Sequence, residues 1–276
     1  MVVCVLLFSA SVQAVTIQGR ATGSFCCVLN AQGNPVNSVT NADGTITNIN
    51  AGSPQFVISN NDADVGGATI VTWGTASNAS NGTVNSFTFD GSGSDAGSLP
   101  GSTTADSLFQ IGSFDYYNAA TRQDNISGIS FFLDMEVINN NMSMSFPTLQ
   151  FDLSITNTPD NSNPVASQDF VTIANTWLIL ADGTQAALNG PMGFELDGFS
   201  YEFLLNGFAI IDPATGLPML DSNGEYVFSN STSAFENNLT EAAIFGSITQ
   251  VTAVPLPGAI WLMISGLVLL IGYRRS

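Results

Sequence analysis

Several stretches of the chain alternate apolar and polar residues, and this period-two pattern restricts the fold more than any other feature. The longest run places five apolar side chains on one face of an extended segment: Ile129, Phe131, Leu133, Met135 and Val137. Residues 149–155 and 199–205 repeat the pattern. Successive side chains of a strand point to opposite faces, so these runs indicate strands that are buried on one side. Between residues 15 and 252 we find no convincing helical period, which predicts an all-β region.

Pairs of turn-forming residues separate these runs. They are Asp43-Gly44, Asn81-Gly82, Asp182-Gly183 and Asn223-Gly224, which tolerate the positive φ of tight hairpins. Further strands are expected at residues 55–59, 68–73, 86–90, 170–174, 177–181, 225–228 and 243–251, with a Gly/Ser-rich connection at 91–104. Many short strands with such turns are typical of sandwiches and jelly rolls. We therefore expect a single β-sandwich or jelly-roll-like domain over residues 15–252.

The charge balance excludes several classes of function. The 276 residues include 22 acidic and only four basic side chains, with no histidine, and the net charge is −18. A nucleic-acid-binding protein needs basic side chains to neutralise phosphates, so we expect no nucleic-acid partner. Catalytic triads that use histidine and zinc sites ligated by histidine are excluded as well.

The N-terminal segment has the features of a secretion signal. Residues 2–10 are almost wholly apolar and are followed by Val12 and Ala14. These small side chains fit the pockets of signal peptidase, which predicts a signal peptide over residues 1–14 that is cleaved after Ala14. Because no basic residue precedes the apolar run, we expect the true translation start to lie upstream of Met1. A buried first strand is the alternative.

The C-terminal segment has the features of a membrane span. Residues 258–273 carry no charge, and Arg274 and Arg275 follow directly. Sixteen helical residues extend about 24 Å, slightly less than a typical hydrocarbon core, and the apolar flanks supply the remainder. The terminal arginines are expected to stay in the cytoplasm while the acidic bulk of the chain lies outside. A buried final helix is the alternative.

The same segment resembles a known sorting signal. Val254, Pro255, Leu256 and Pro257, followed by the apolar stretch and the arginine pair, resemble the PEP-CTERM signal in its Val-Pro-Leu-Pro-Ala variant, with Gly258 replacing the usual Ala. The resemblance covers residues 253–276. It implies export in a Gram-negative bacterium that makes extracellular polysaccharide, recognition by exosortase near Pro255–Pro257, and removal of the helix. The two prolines also prevent regular helix immediately before the span.

A second region resembles the THxN family of PEP-CTERM surface proteins, which carry a choice-of-anchor domain. Trp73 and Gly74, with the aromatic run that follows them, match the opening of that domain. In the motif region, Tyr117 and Asn118 match, whereas Asp115 replaces the family's Thr and Tyr116 its His. The resemblance implies a fold and a location but no catalytic activity.

The segment from Asp115 to Asn118 has two interpretations. Asn118 can bond to the backbone two residues on, which favours a structural turn. If the segment is extended, Tyr116 and Tyr117 point to opposite sides, so at most one is expected to be buried. The alternative is a ligand-binding surface.

Carboxylates are the remaining candidates for chemistry. Asp134 and Glu136 share a strand face about 7 Å apart, which suits a glycosidase pair but also an ordinary exposed polar face. Asp62 and Asp64 resemble part of a calcium loop and are the candidate site for a calcium ion, the one cofactor that the sequence suggests. Residues 221–225 also resemble part of a calcium loop but are more simply a hairpin turn.

Cysteine is sparse. Cys4 lies in the signal segment, which leaves the adjacent pair Cys26 and Cys27. Such neighbours form a disulfide with each other, stay reduced, or bond to another chain, and the sequence does not distinguish these states.

Together these features predict a protein that is exported, first tethered to the inner membrane, and then released to the cell envelope, outer surface or extracellular matrix. Its expected partners are signal peptidase and exosortase during export, and extracellular polysaccharide afterwards. We expect a structural or binding role rather than catalysis. The alternative is a secreted carbohydrate-binding module or carbohydrate-active enzyme on a jelly-roll fold.

Overall fold

A computed structural model describes residues 18–48, 56–60, 68–76, 83–91, 107–122, 126–139, 142–159, 166–210 and 218–251. The signal-peptide prediction with its cleavage after Ala14, the sorting tail at 253–276, the candidate calcium residues Asp62 and Asp64, and the 91–104 connection beyond Gly91 lie outside these residues. Among the described residues, no helix is long and apolar enough to cross a membrane.

The described residues form an all-β fold without helix. The strands in chain order are β1 (Gln18–Asn30), β2 (Ser38–Thr40), β3 (Ile46–Asn48), β4 (Phe56–Asn60), β5 (Thr69–Trp73), β6 (Thr75–Ala76), β7 (Asn85–Gly91), β8 (Ser107–Asn118), β9 (Thr121–Arg122), β10 (Ile126–Asn139), β11 (Met142–Ser145), β12 (Leu149–Thr156), β13 (Asp169–Ile179), β14 (Gln185–Ala187), β15 (Met192–Leu196), β16 (Phe199–Ala209), β17 (Phe228–Ser229), β18 (Ser231–Ala234) and β19 (Asn238–Gln250).

Two antiparallel sheets make up the sandwich-like fold. The smaller sheet has the order β1-β10-β12-β13-β14, with β11 beside β10 and β18 beside β13. The larger sheet has the order β15-β16-β19-β8-β7-β5-β4-β3-β2, with β17 beside β16. Strands β6 and β9 form a separate short pair. The all-β fold expected from the alternating sequence is therefore confirmed.

The core between the sheets is built from the alternating apolar faces. All five residues of the longest predicted run, from Ile129 to Val137, are buried on β10. The ring of Phe131 lies 5.1 Å from Phe25 of the same sheet, and 4.7 Å and 5.1 Å from Phe89 and Phe114 of the opposite sheet, measured between centroids. This aromatic cluster joins the two sheets.

Glycine makes room for these rings. A Cβ built on Gly23 of β1 would lie 2.4 Å from Phe89 Cδ1 and 2.5 Å from Phe131 Cε2. Gly112 of β8 approaches Phe89 in the same way, with 2.5 Å between its built Cβ and Cε2 of the ring. Both contacts are closer than any side chain tolerates, so the aromatic core requires glycine at these positions.

Four hairpins use the same turn. In each, the first residue of the turn donates its backbone N–H to the carbonyl oxygen of the residue four positions later. The glycine donates its N–H to the carbonyl oxygen of that first residue. The first residue and the glycine of the four turns are Asn30 and Gly33, Asn41 and Gly44, Leu180 and Gly183, and Asp221 and Gly224. The glycines have φ of 77°, 83°, 80° and 82°, the left-handed conformation that closes a type I turn with a bulge. The predicted turns at Asp43-Gly44, Asp182-Gly183 and Asn223-Gly224 are confirmed, and the one predicted at Asn81-Gly82 lies outside the described residues.

The aspartates in three of these turns support the loop backbone. The side-chain and backbone hydrogen bonds of Thr45 lower the pKa of Asp43, and those of Thr184 lower the pKa of Asp182 in the same way. The backbone N–H groups of Glu225 and Asn223 lower the pKa of Asp221. Because a lowered folded-state pKa favours the ionised form, these turns lose stabilisation as the pH falls through the lowered values.

Some strand boundaries differ from those predicted. The runs at 170–174 and 177–181 belong to one strand, β13, which is interrupted only by a bulge. The run at 225–228 is reduced to a bridge between Leu220 and Tyr226 and the short β17. The long strands β1 and β8 were not predicted, because glycine, serine and cysteine interrupt their alternation.

Candidate functional site

The segment from Asp115 to Asn118 forms the end of strand β8, so the predicted turn is wrong in form. Strand β7 pairs with one side of β8 and β19 with the other, which keeps the segment extended. Tyr116 and Asn118 are buried, whereas Tyr117 and Asp115 on the opposite face are partly exposed. The expectation that only one of the two tyrosines is buried is confirmed.

Asn118 connects three parts of the chain. Its amide Nδ2 donates to the carbonyl oxygen of Ser167 at 3.0 Å and to that of Ala234 at 3.1 Å. These acceptors lie just before β13 and at the end of β18. Asn118 therefore bonds to distant backbone rather than to the backbone two residues on, and its contacts stabilise the packing of the strands.

Tyr116 lies between an aromatic ring and a buried carboxylate. Its ring stacks on Trp73 with centroids 5.9 Å apart, and its hydroxyl donates to Asp169 Oδ2 at 3.3 Å. Asp169 Oδ1 accepts from the backbone N–H and the hydroxyl of Thr158. Burial, the charge of Asp169 and its hydrogen bond, and the charge of Glu236 raise the pKa of Tyr116 well above its ordinary value. The phenol therefore stays protonated as a donor.

Gly74 serves a packing role beside this cluster. Its φ is +89°, and a Cβ built on it would lie 2.9 Å from Thr121 Cβ. Any side chain there would push β6 away from β9, so only glycine fits. Trp73 and Gly74 thus belong to the same packed region as Tyr116 and Asn118.

We expect Asn118→Ala to lower the free energy of unfolding by about 1–3 kcal/mol, because it leaves two buried carbonyls without their donor. Thermal unfolding measures the change, and the exposed Asn34→Ala is the control, with an expected change within about 0.5 kcal/mol. If Asn118→Ala melts like the wild type and loses association with extracellular polysaccharide, the segment is a binding surface instead.

The paired carboxylates of β10 lie on its polar face. Glu136 forms an ion pair with Arg20 Nε at 2.9 Å, directly across from it on β1. Asp134 is exposed and accepts a hydrogen bond from the Thr148 hydroxyl. Among the carboxylates outside β10, Asp115 on β8 has its pKa raised by burial. These contacts fit the ordinary reading of an exposed strand face.

Metal-ligating side chains do not cluster in the part of the chain that the structure describes. No group of three or more Cys, Asp or Glu residues there could hold an ion. Residues 221–225 form the hairpin turn described above, with Asp221 Oδ1 accepting from the backbone N–H groups of Asn223 and Glu225. The calcium prediction at Asp62 and Asp64 stays a prediction.

Cys26 and Cys27 are joined to each other in a disulfide. The pair lies near the end of β1, where pairing with β10 slips out of register after Cys26, and Cys27 has φ of 60°. Of the three states left open by the sequence, the structure contains the bond between neighbours.

A surface groove of about 350 Å³ lies where both sheets are irregular. In β13, Ala174 is an extra residue between Ile173 and Asn175, which face consecutive residues of β12. In β16, Asn206 is an extra residue in the same sense opposite β19. The two bulges line one groove, although they belong to different sheets.

The groove lining is uncharged and rich in asparagine. It contains four asparagines, one threonine and one tryptophan beside aliphatic residues and glycine: Asn175, Asn189, Asn206, Asn230, Thr176 and Trp177. No acidic or basic residue is among its lining residues, although the chain has a net charge of −18. Sequence reasoning missed this site because it is formed by two register shifts. The sole signal was the polar interruption of both strands by asparagine.

The chain was compared with known proteins. No protein-family model matches it, and no curated protein matches it in sequence.

Proposed function

We propose that the chain is an exported cell-surface or extracellular-matrix protein of a Gram-negative bacterium, processed by exosortase and acting by structure or binding. The observation that carries the proposal is the sequence of the C-terminal tail, which has three parts in succession: Val254-Pro255-Leu256-Pro257, an uncharged apolar stretch and Arg274-Arg275. The apolar N-terminal stretch ending at Ala14 supports export. Signal peptidase and exosortase are its partners during maturation, and extracellular polysaccharide is its partner afterwards.

The all-β domain is consistent with this role. The family-motif residues Trp73, Tyr116 and Asn118 are buried, which supports a role in the stability of the domain. A mature domain of residues 15–252 has 22 acids opposed only by Arg20 and Arg122, or −20. Such charge keeps a protein soluble in a hydrated matrix but destabilises its compact state by self-repulsion.

The second candidate is a secreted carbohydrate-binding module or carbohydrate-active enzyme with jelly-roll connectivity. The groove lined by asparagine and Trp177 favours binding in particular, because concave sites with a few convergent polar groups are the usual places for small ligands.

Exchanging both terminal arginines, Arg274→Asp and Arg275→Asp, tests the proposal. The basic pair holds the tail on the cytoplasmic side, so the double variant is expected to accumulate as an unprocessed precursor in a host that encodes exosortase. The wild-type chain in the same host without exosortase is the control and should accumulate the same precursor. Equal processing of wild type and variant, or release of the wild type without exosortase, contradicts the proposal.

A further inference from the structure

We propose that the groove between the bulges of β13 and β16 binds a neutral carbohydrate chain. The inference deepens the binding role proposed above and rests on it, but its test does not require processing at either terminus.

The groove is held open by backbone pairing. On the side of β13 away from β12, β18 pairs with Asp169–Thr172 and β14 pairs with Trp177–Ile179. On this side of β13, the four residues between β18 and β14, 173–176, pair with no strand among the described residues. They form one wall of the groove. Hydrogen bonds hold both ends of this unpaired stretch: Ile173 N donates to Asn230 O, and Leu188 N donates to Thr176 O.

The opposite wall is the bulge of β16. Gly207 has φ of 103°, and a Cβ built on it would lie 2.7 Å from the carbonyl oxygen of Ser229. Glycine is therefore required for the bend that places Asn206 in the groove lining. The Oδ1 atom of Asn206 is buried and has no hydrogen-bond partner among the described residues. An unsatisfied buried acceptor is costly, and rotation of the Asn206 side chain that turns Oδ1 into the groove would let a ligand hydroxyl donate to it.

Trp177 supplies the aromatic surface of the lining. Its indole N–H donates to Asp152 Oδ2 at 2.7 Å, and Asp152 Oδ1 accepts from Gln150. Since the N–H is already bonded, the indole offers ring surface rather than a donor to a ligand. Sugar rings combine an apolar C–H face with hydroxyls, and they pack on such rings while their hydroxyls bond to nearby polar groups.

The lining chemistry selects a neutral ligand rich in hydroxyls. Each asparagine amide both donates and accepts, as each sugar hydroxyl does. The lining has no charge to pair with a phosphate, a carboxylate or an ammonium group, and the negative charge of the whole chain repels anionic ligands. The volume of about 350 Å³ lies at the lower end of the range for small-ligand sites.

An extended peptide fits the groove less well. Strand addition requires a continuous edge with regularly spaced N–H and carbonyl groups. The stretch from 173 to 176 is short, the backbone groups at its two ends are already hydrogen-bonded, and the bulge at Ala174 disrupts its ladder. We therefore favour carbohydrate over β-strand addition.

Binding to soluble glycans tests the inference. The full chain is purified in a detergent without a sugar headgroup and titrated with dextran, laminarin and galactomannan as neutral probes, with alginate as an acidic probe. An uncharged extended peptide rich in Ser and Gln is the competing probe. We expect at least one neutral glycan to bind, and neither alginate nor the peptide to do so.

Two variants assign any binding to the groove. Trp177→Ala and Asn206→Leu are each expected to weaken the affinity for the neutral glycan at least tenfold. The matched controls outside the groove, Tyr226→Ala and Asn34→Leu, are expected to bind within twofold of the wild type, and thermal unfolding verifies that all four variants are folded. If one groove variant does not fold, the other carries the test.

The outcomes are distinct. Failure of the wild type to bind any neutral glycan, undiminished binding by the folded groove variants, or preference for the peptide or alginate would overturn the inference. None of these results bears on processing of the termini, which the arginine exchange tests separately.

Discussion

Phe131→Ala is expected to lower the free energy of unfolding by about 3–5 kcal/mol, the range typical of removing a buried phenylalanine. Phe131 is 0% exposed, and its ring contacts aromatic rings of both sheets. Removing it takes away apolar burial and leaves a cavity at the junction of the sheets. Since domains are stable by only about 5–15 kcal/mol, the loss is a large share of the total.

Urea unfolding of the wild type and the variant measures this change. The matched control is Phe170→Ala on β13, where the side chain is 39% exposed. We expect a loss below about 1.5 kcal/mol there, because less apolar surface is buried. Equal losses at the two positions would contradict a core formed between the sheets at Phe131.

Gly23→Ala is the second change with a large expected effect, a loss of about 1–3 kcal/mol from overpacking. The new methyl group would lie 2.4–2.5 Å from ring atoms of Phe89 and Phe131, which are themselves enclosed by other aromatic rings. The control is Gly190→Ala, because a Cβ built on Gly190 meets nothing within 4 Å. Thermal or urea unfolding of both variants gives the comparison.

A double variant makes this prediction sharper. In Gly23→Ala with Phe131→Ala, the added methyl group enters the space that the ring has left. The combined loss is therefore expected to be smaller than the sum of the single losses by about 0.5–3 kcal/mol. Strictly additive losses would show that Gly23 and Phe131 are not in contact.

The parts of the fold that could be predicted were those whose pattern is local. On β10, the alternation from Ile129 to Val137 decides which face is buried, and the structure buries that face. The Asp-Gly turns were predictable because few residues adopt positive φ without strain. Asp197-Gly198 carries the same signal, with φ of 52° and 77°, and closes the β15–β16 hairpin.

The parts that could not be predicted depend on contacts between distant residues. Nothing near Asn118 in the sequence indicates that its amide bonds to the carbonyls of Ser167 and Ala234. The groove needs extra residues in two strands of different sheets, and a register shift is set by the pairing partner as much as by the strand itself. Tertiary pairing also made β8 a strand although Asp115-Tyr116-Tyr117-Asn118 lacks apolar alternation.

Intact-mass measurement on protein taken from the cell envelope and its matrix tests the central claim most directly. The account predicts a mature chain that begins near Val15 and ends near the Pro255–Pro257 motif, because signal peptidase removes residues 1–14 and exosortase removes the apolar tail. A full-length species that retains the segment from Trp261 to Ser276 would contradict exosortase processing and with it the proposed function.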